Sequence, residues 1–181
     1  MAEPVSIFEA RAHLRIDAES GAHPEDGLIS TLIAAARAHV EGVTGLVLVQ
    51  STKDAYFDAF DTEGLRLPFN PVSSISFVKY VADDGALTTL ASSVYRLDNA
   101  SLRARLALEY GQVWPTTREV INAVQVRAVC GGTVEPALKQ AITLLMAHWY
   151  ENRTPVGAGS LADMPHMVAA LVEPYRIWSH A

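Results

Sequence analysis

Apolar positions in this chain follow two different rhythms. From about residue 25 they recur at helical spacing, with Leu28, Ile29, Leu32, Ile33, Ala36, Val40 and Val43 on one face. Thr44-Gly45 supplies a glycine just past the last periodic residue, where helices commonly stop. A second helical pattern begins at Pro136, a residue suited to the first helical position because its missing N–H would be unpaired there. Leu138, Ala141, Ile142, Leu145 and Trp149 form its stripe, and Leu144, Met146, Ala147 and Tyr150 spread apolar surface beyond it. A helix apolar almost all round is buried on most sides, by its own domain or by a neighbouring subunit. Glu135 to Arg153 is therefore the expected core strut.

Two weaker helices flank these. Ser6-Ile7-Phe8-Glu9 has the form of a capping box, which starts a short helix running to about Leu14. Near the other end, Asp163 is placed to cap a helix carrying Val168, Leu171 and Val172, with Pro174 bending or restarting it before Tyr175, Ile177 and Trp178. Between them, residues 154–160 read as a small-residue loop.

The rhythm changes to alternation after Gly45. Val47–Thr52, Gly64–Leu67, Ser74–Val81, Leu87–Leu90, Tyr95–Asp98, Arg105–Tyr110 and Ala123–Val129 predict a set of about five to seven short strands. Asp83-Asp84-Gly85 is a turn signal, most simply a hairpin onto Leu87–Leu90. Pro68 and Pro71 confine their neighbours to edges or loops, and Gly131-Gly132 closes the β part. The expected fold is α+β: a small helical bundle with an antiparallel β-rich insertion between its second and third helices. Helices are expected at about 6–14, 25–43, 136–152 and 163–178, with the insertion at about 47–130, all in one domain of residues 1–181.

Composition narrows the function classes. Half of the 181 residues are apolar and 19% are charged, enough to bury a core without disulfides or a structural metal. The formal net charge of −6 opposes a surface that wraps nucleic acid, though not one that lines a DNA conduit without gripping it. A single cysteine, Cys130, fits a reducing compartment. Met-Ala-Glu-Pro-Val lacks the regions of a signal peptide, and no apolar run is long enough for a membrane span.

No catalytic signature emerges. His148 and Glu151 are three apart, a spacing used by carboxylate-bridged metal sites, but no second Glu-x-x-His pair supplies the other ligands. Asp54, Asp58 and Asp61 lack the spacing and closing glutamate of a calcium loop and read as a solvated acidic loop. Cys130 has no Cys-x-x-Cys partner and reads as a buried strand-end residue. Gly157-Ala158-Gly159-Ser160 has neither the lysine nor the preceding strand of a phosphate cradle. Arg96, Arg103, Arg105, Arg118 and Arg127 could gather on one face of the β region, or pair with Asp98, Glu109 and Glu119 on a solvated surface. Catalytic residues, cofactor and metal are each expected to be none.

Five stretches in register carry a family resemblance. Glu9-Ala10-Arg11-Ala12-His13-Leu14-Arg15-Ile16-Asp17, and Leu28-Ile29 through Ala34-Ala35-Ala36-Arg37 to Val40-Glu41, resemble the opening helices of the head–tail connector proteins of tailed bacteriophages. Leu67-Pro68 with Pro71–Ile75, then Tyr95–Asp98 and Trp114-Pro115, is similar to the β insertion of the longer members. The strongest match runs from Pro136 through Ile142 to Ala147-His148-Trp149-Tyr150-Glu151-Asn152-Arg153, and Pro174-Tyr175-Arg176 with Trp178 resembles the family's tail end. Cys130-Gly131-Gly132 departs from the pattern, where an aromatic and a longer glycine turn would be expected.

The resemblance implies a structural protein of the virion neck, in phages or phage-derived gene transfer agents, assembled in the host cytoplasm. It implies a homo-oligomeric ring, typically dodecameric, that joins the portal protein to a downstream tail-attachment or head-closure protein. DNA would pass through the channel without specific binding, and no membrane is involved. Trp149, Tyr150, Arg153, Tyr175, Arg176 and Trp178 are the expected assembly interface, with residues from Asp163 onward facing the portal and Glu173–Ala181 dispensable for folding. Two rival readings stand beside this one. The chain could be another neck component, a tail-completion or head-closure protein, or a small-molecule-binding or enzymatic domain built on the β insertion.

Overall fold

Ser6 opens the first helix, α1 (Ile7–Leu14), through a reciprocal cap. The Glu9 backbone N–H donates to Ser6 Oγ at 3.2 Å, and the Ser6 backbone N–H donates to Glu9 Oε2 at 2.9 Å. The computed structural model describes residues 3–16, 21–100, 103–152 and 166–177. These fall into two units, Gln50–Gly132 and the segments up to Val49 and from Thr133 on.

The helical unit is built on α2 (Asp26–Thr44) and α3 (Pro136–Glu151), joined by the short α4 (His166–Val172) and a 3₁₀ turn at Glu173–Tyr175. Ile29, Ile33, Ala36 and Val40 of α2 are buried against Leu138, Ala141, Ile142, Leu145 and Met146 of α3, with Val168 and Val172 of α4 completing the core. The α2 stripe ends at Gly45, whose φ of +74° lets its N–H reach back to the Glu41 carbonyl at 2.8 Å. Pro136 occupies the start of α3 as the sequence predicts. Pro174 sits in the 3₁₀ turn, so α4 stops there and the chain tightens instead of continuing.

The β unit contains two antiparallel sheets, β1 (Ser51–Phe57), β7 (Val124–Cys130), β3 (Val72–Val81) and β4 (Leu87–Thr89) in that order, and β2 (Leu65–Arg66), β6 (Arg105–Leu108) and β5 (Tyr95–Asp98). In β7 the sequence Val-Gln-Val-Arg-Ala-Val-Cys buries every second residue, so one face packs and the other is wetter. The β3–β4 hairpin turns through Asp83-Asp84-Gly85, as expected, with Val81 opposite Leu87. In β3, register shifts at Val72/Ser74 and Ile75/Phe77 re-aim the strand, and Phe77 ends opposite Arg127 while Val78 opposes Val126.

The architecture matches the expected α+β class, with β strands between the second and third helices. One strand is displaced. The first was expected at Val47–Thr52 and lies at Ser51–Phe57. Leu48 is buried in the helical core instead, and its N–H donates to Glu41 Oε1 at 2.8 Å. Only Ala55 of β1 is buried, so this edge strand carries almost no apolar alternation to detect. Of the fourth helix, Asp163 and the preceding loop lie outside the described residues.

Candidate assembly surfaces

The C-terminal turn of α3 was the sequence's leading surface, and the structure engages much of it internally. Trp149 is half-buried and meets the His39 ring of α2 edge-on, centroids 6.1 Å apart. The Tyr150 hydroxyl donates to the Glu25 carboxylate at the start of α2. Tyr175 is half-buried against the same core, while Arg176 is exposed with its Nη1 3.9 Å from Glu173 Oε2. Arg153 and Trp178 lie outside the described residues. The residues that follow Pro174 are also stitched in, since the Ile177 N–H donates to the Thr44 carbonyl at 2.8 Å. Glu173–Ile177 is thus part of the helical unit's structure.

The residues screened for chemistry are dispersed. His148 Nδ1 is 3.4 Å from Asn152 Nδ2, and Glu151 is exposed. Asp54 pairs with Arg127, Asp58 Oδ1 accepts from the Asn122 N–H at 2.8 Å, and Asp61 Oδ1 accepts from the Glu63 N–H at 3.0 Å. Each aspartate has a local job. Cys130 is buried, and that burial pushes its thiol pKa up, the direction opposite to activation. Among the described residues no group of three or more His, Cys, Asp and Glu could hold a metal ion.

Two arginines of the β unit are held by aspartates. Arg105 Nε lies 2.9 Å from Asp98 Oδ2, as the pairing expectation had it, and holds that carboxyl below its usual range. Arg127 makes two 2.7 Å bonds to Asp54 across the β1–β7 pair, and its guanidinium lies 4.8 Å from the centre of the Phe77 ring on β3. Lys79 Nζ covers the same ring at 4.7 Å. This cross-strand row, Asp54–Arg127–Phe77, is an ordered patch that spacing alone does not reveal, because the β3 register shift creates it.

A second feature was missed for a different reason. The loop between β6 and β7 carries Tyr110, Val113, Val120 and Ile121, exposed by 99%, 82%, 41% and 82%. Its middle is nevertheless pinned. Trp114 stacks on Phe60 with centroids 4.7 Å apart, and its indole N–H donates to the Asp61 carbonyl at 2.9 Å. The Arg118 N–H donates to the Val81 carbonyl at 3.0 Å. Beside its Asn122 end lies an open cleft of about 470 Å³ lined by residues including Tyr56, Phe57, Asp58 and Leu65. The available signal was an apolar set in a stretch broken by Gly111 and Pro115, outside any alternating pattern.

With this geometry in place, comparison with solved structures is decisive about kind. A chain of the structure described as the virion of native gene transfer agent (GTA) particle is 26% identical, with a TM-score of 0.78, over 98% of this chain and 92% of that one. A chain in the neck of the empty GTA particle, computed with C6 symmetry, is 27% identical with a TM-score of 0.78, covering 100% of this chain and 95% of that one. By fold and sequence together, this chain is similar to chains of the gene transfer agent neck. A chain in the neck of the native GTA particle, computed with C12 symmetry, agrees at 25% identity and a TM-score of 0.72, over 100% of this chain and 94% of that one. No family model and no curated protein matches the chain. The similarity to a neck protein spans both units and both surfaces described above, as the resemblance read from the sequence implies.

Proposed function

We propose that this chain is a subunit of a ring adaptor that joins the portal to the tail and extends the DNA exit channel. The observation that carries the reading is likeness along the whole chain, helical and β units alike, to chains of neck structures with twelvefold and sixfold symmetry. In a rotationally symmetric neck one chain repeats around the channel, each copy touching two neighbours through different surfaces. Work of that kind is done by interfaces, and it needs no catalytic group. A formal charge of −6 suits a conduit, because like charge keeps the duplex from adhering to the wall.

The partners proposed are the portal protein on one side and a tail-attachment or head-closure protein on the other, with DNA passing unbound. We assign Trp149, Tyr150, Arg153, Tyr175, Arg176 and Trp178 to the assembly interface, and treat residues 1–181 as one functional domain carrying an insertion. The exposed guanidinium of Arg176 supports that assignment, while the half-buried Trp149 and Tyr150 would act by fixing the local surface. The test is cryo-electron microscopy of intact particles. Density for this chain is expected as a ring between portal and tail. If another chain fills that position, the adaptor assignment fails, and the place where this chain is found instead identifies its role in the neck.

A further inference from the structure

We infer that His23 is an acid-sensitive cap of α2, which holds the helix start as a neutral ring and releases it on protonation, with α3 feeling the change through Tyr150. Helix α2 opens without a conventional side-chain cap, since its N-cap residue, Glu25, makes no such bond. The half-buried ring two residues earlier takes that place, and the Glu25 backbone N–H donates to His23 Nδ1 at 3.2 Å. A backbone N–H can only donate, so Nδ1 carries no proton in this arrangement and the ring is the neutral imidazole. The imidazolium has an N–H at both ring nitrogens and cannot accept this bond. Hydroxyl and amide caps keep their acceptor at any ordinary pH, whereas an imidazole cap loses it within reach of neutrality.

The groups around the ring make this a local exchange instead of an unfolding. Asp26 of α2 attracts the protonated ring, and its Oδ2 already accepts the His23 backbone N–H at 2.9 Å. Arg11 of α1 opposes the cation but is itself paired with Asp26. Glu25 carries a second carboxylate two residues from the ring, and Tyr150 of α3 donates its hydroxyl to it. Protonation therefore gives up one hydrogen bond to a neutral ring and gains attraction to carboxylates, so the fold persists while the Glu25 N–H is freed. Glu25 is the shared member: its N–H meets His23 and its carboxylate meets Tyr150, so loosening of the first turn of α2 passes to the end of α3. Tyr150 is among the residues assigned above to assembly. Any effect on assembly rests on that reading, and the switch itself does not.

The test is an NMR titration of the full-length chain from about pH 8 to about pH 5, the range in which imidazoles change charge. The Glu25 amide proton and the Tyr150 ring signals are expected to shift with the same midpoint as the His23 ring. In His23→Asn, whose side-chain oxygen can accept the same N–H but does not titrate, both shifts should be lost. A Glu25 amide that ignores the His23 titration, a Tyr150 ring that stays still, or shifts that persist unchanged in the asparagine variant overturn the inference. Every readout is taken on the free chain, so this result and the location of the chain in the particle stand or fall separately.

Discussion

Arg11 and Asp26, fifteen residues apart, are joined by a two-pronged ion pair. Arg11 Nε lies 2.7 Å from Asp26 Oδ1, and Nη2 meets Oδ2. Arg11 is only 7% exposed, and its Nη1 also donates to the Gly21 carbonyl at 3.1 Å. The pair therefore ties α1 to the start of α2. Arg11→Ala is expected to lower the thermal midpoint more than Asp26→Asn does, since it also strips the Gly21 carbonyl of its donor. Differential scanning calorimetry of the two variants gives the order, and the reverse order would count against this account.

Acid should loosen the same region. The Arg11 guanidinium holds the Asp26 carboxyl below its usual range, and Lys139, with Nζ 2.6 Å from Glu9 Oε1, holds Glu9 down to about 2. Both folded-state values are depressed, so their stabilisation is present above the ordinary carboxylate pKa and is lost as pH falls from about 4.5 toward 2. Glu9 is about half exposed, so solvent screening keeps its share below about 1 kcal/mol. Melting midpoints recorded from pH 6 down to pH 2 should decline, and Lys139→Met should flatten part of that decline.

Trp149 distinguishes a core residue from a shoulder. A fully buried tryptophan costs roughly 3–5 kcal/mol when cut to alanine, but this one is half-buried and leans on His39. Trp149→Ala should therefore cost about 2 kcal/mol, between burial and free exposure. Leu145→Ala, one turn earlier and 2% exposed, should cost about 2–5 kcal/mol. Urea titrations that put Trp149→Ala at or above Leu145→Ala would show the ring to be more enclosed than described.

Gly64 is a backbone requirement. Its φ is +92°, and a Cβ there would sit 2.3 Å from the Leu106 carbonyl oxygen. That oxygen belongs to β6, which pairs with β2 beginning at the next residue, so the strand cannot step aside without breaking the sheet. Gly64→Ala should destabilise the protein by about 2 kcal/mol or more, combining strain with a clash. Chemical denaturation checks it, and a neutral outcome would contradict the approach of these strands.

Truncation separates folding from assembly. Ending the chain after Ile177 keeps the Ile177–Thr44 backbone bond and should leave the melting midpoint near that of the full chain. Ending it after Val172 removes Tyr175 from the helical core and should lower stability. If the proposed interface is right, both truncations are missing from particle necks, though only the second is a folding defect.

The helical unit was legible because its signals are local. Ser6 with Glu9, Gly45 and Pro136 each fix one helix end by their own chemistry, and a 3.6-residue stripe declares the buried face. Thr44 was the exception, a buried polar residue made tolerable by donating to the Val40 carbonyl at 2.8 Å. In the β unit, β7 was legible through strict alternation, whereas β1 was displaced because Ser51–Phe57 holds one buried side chain. The exposed loop was legible only as an apolar set outside any alternating pattern, and the Arg127–Phe77 patch was not legible. Both depend on pairing partners far away in sequence, Phe60 with Trp114 and Phe77 with Arg127, which no local pattern encodes.

The first and last strands of the β unit are neighbours, with Ser51 directly opposite Cys130. The chain therefore enters and leaves that unit at points about 5 Å apart. Such a pair of ends makes the unit a cassette, which a genome can lengthen, trade or delete without stretching the helices it interrupts. For an engineer the same site is a port: a foreign domain with adjacent termini could replace residues 50–132 and be displayed by the helical unit that remains.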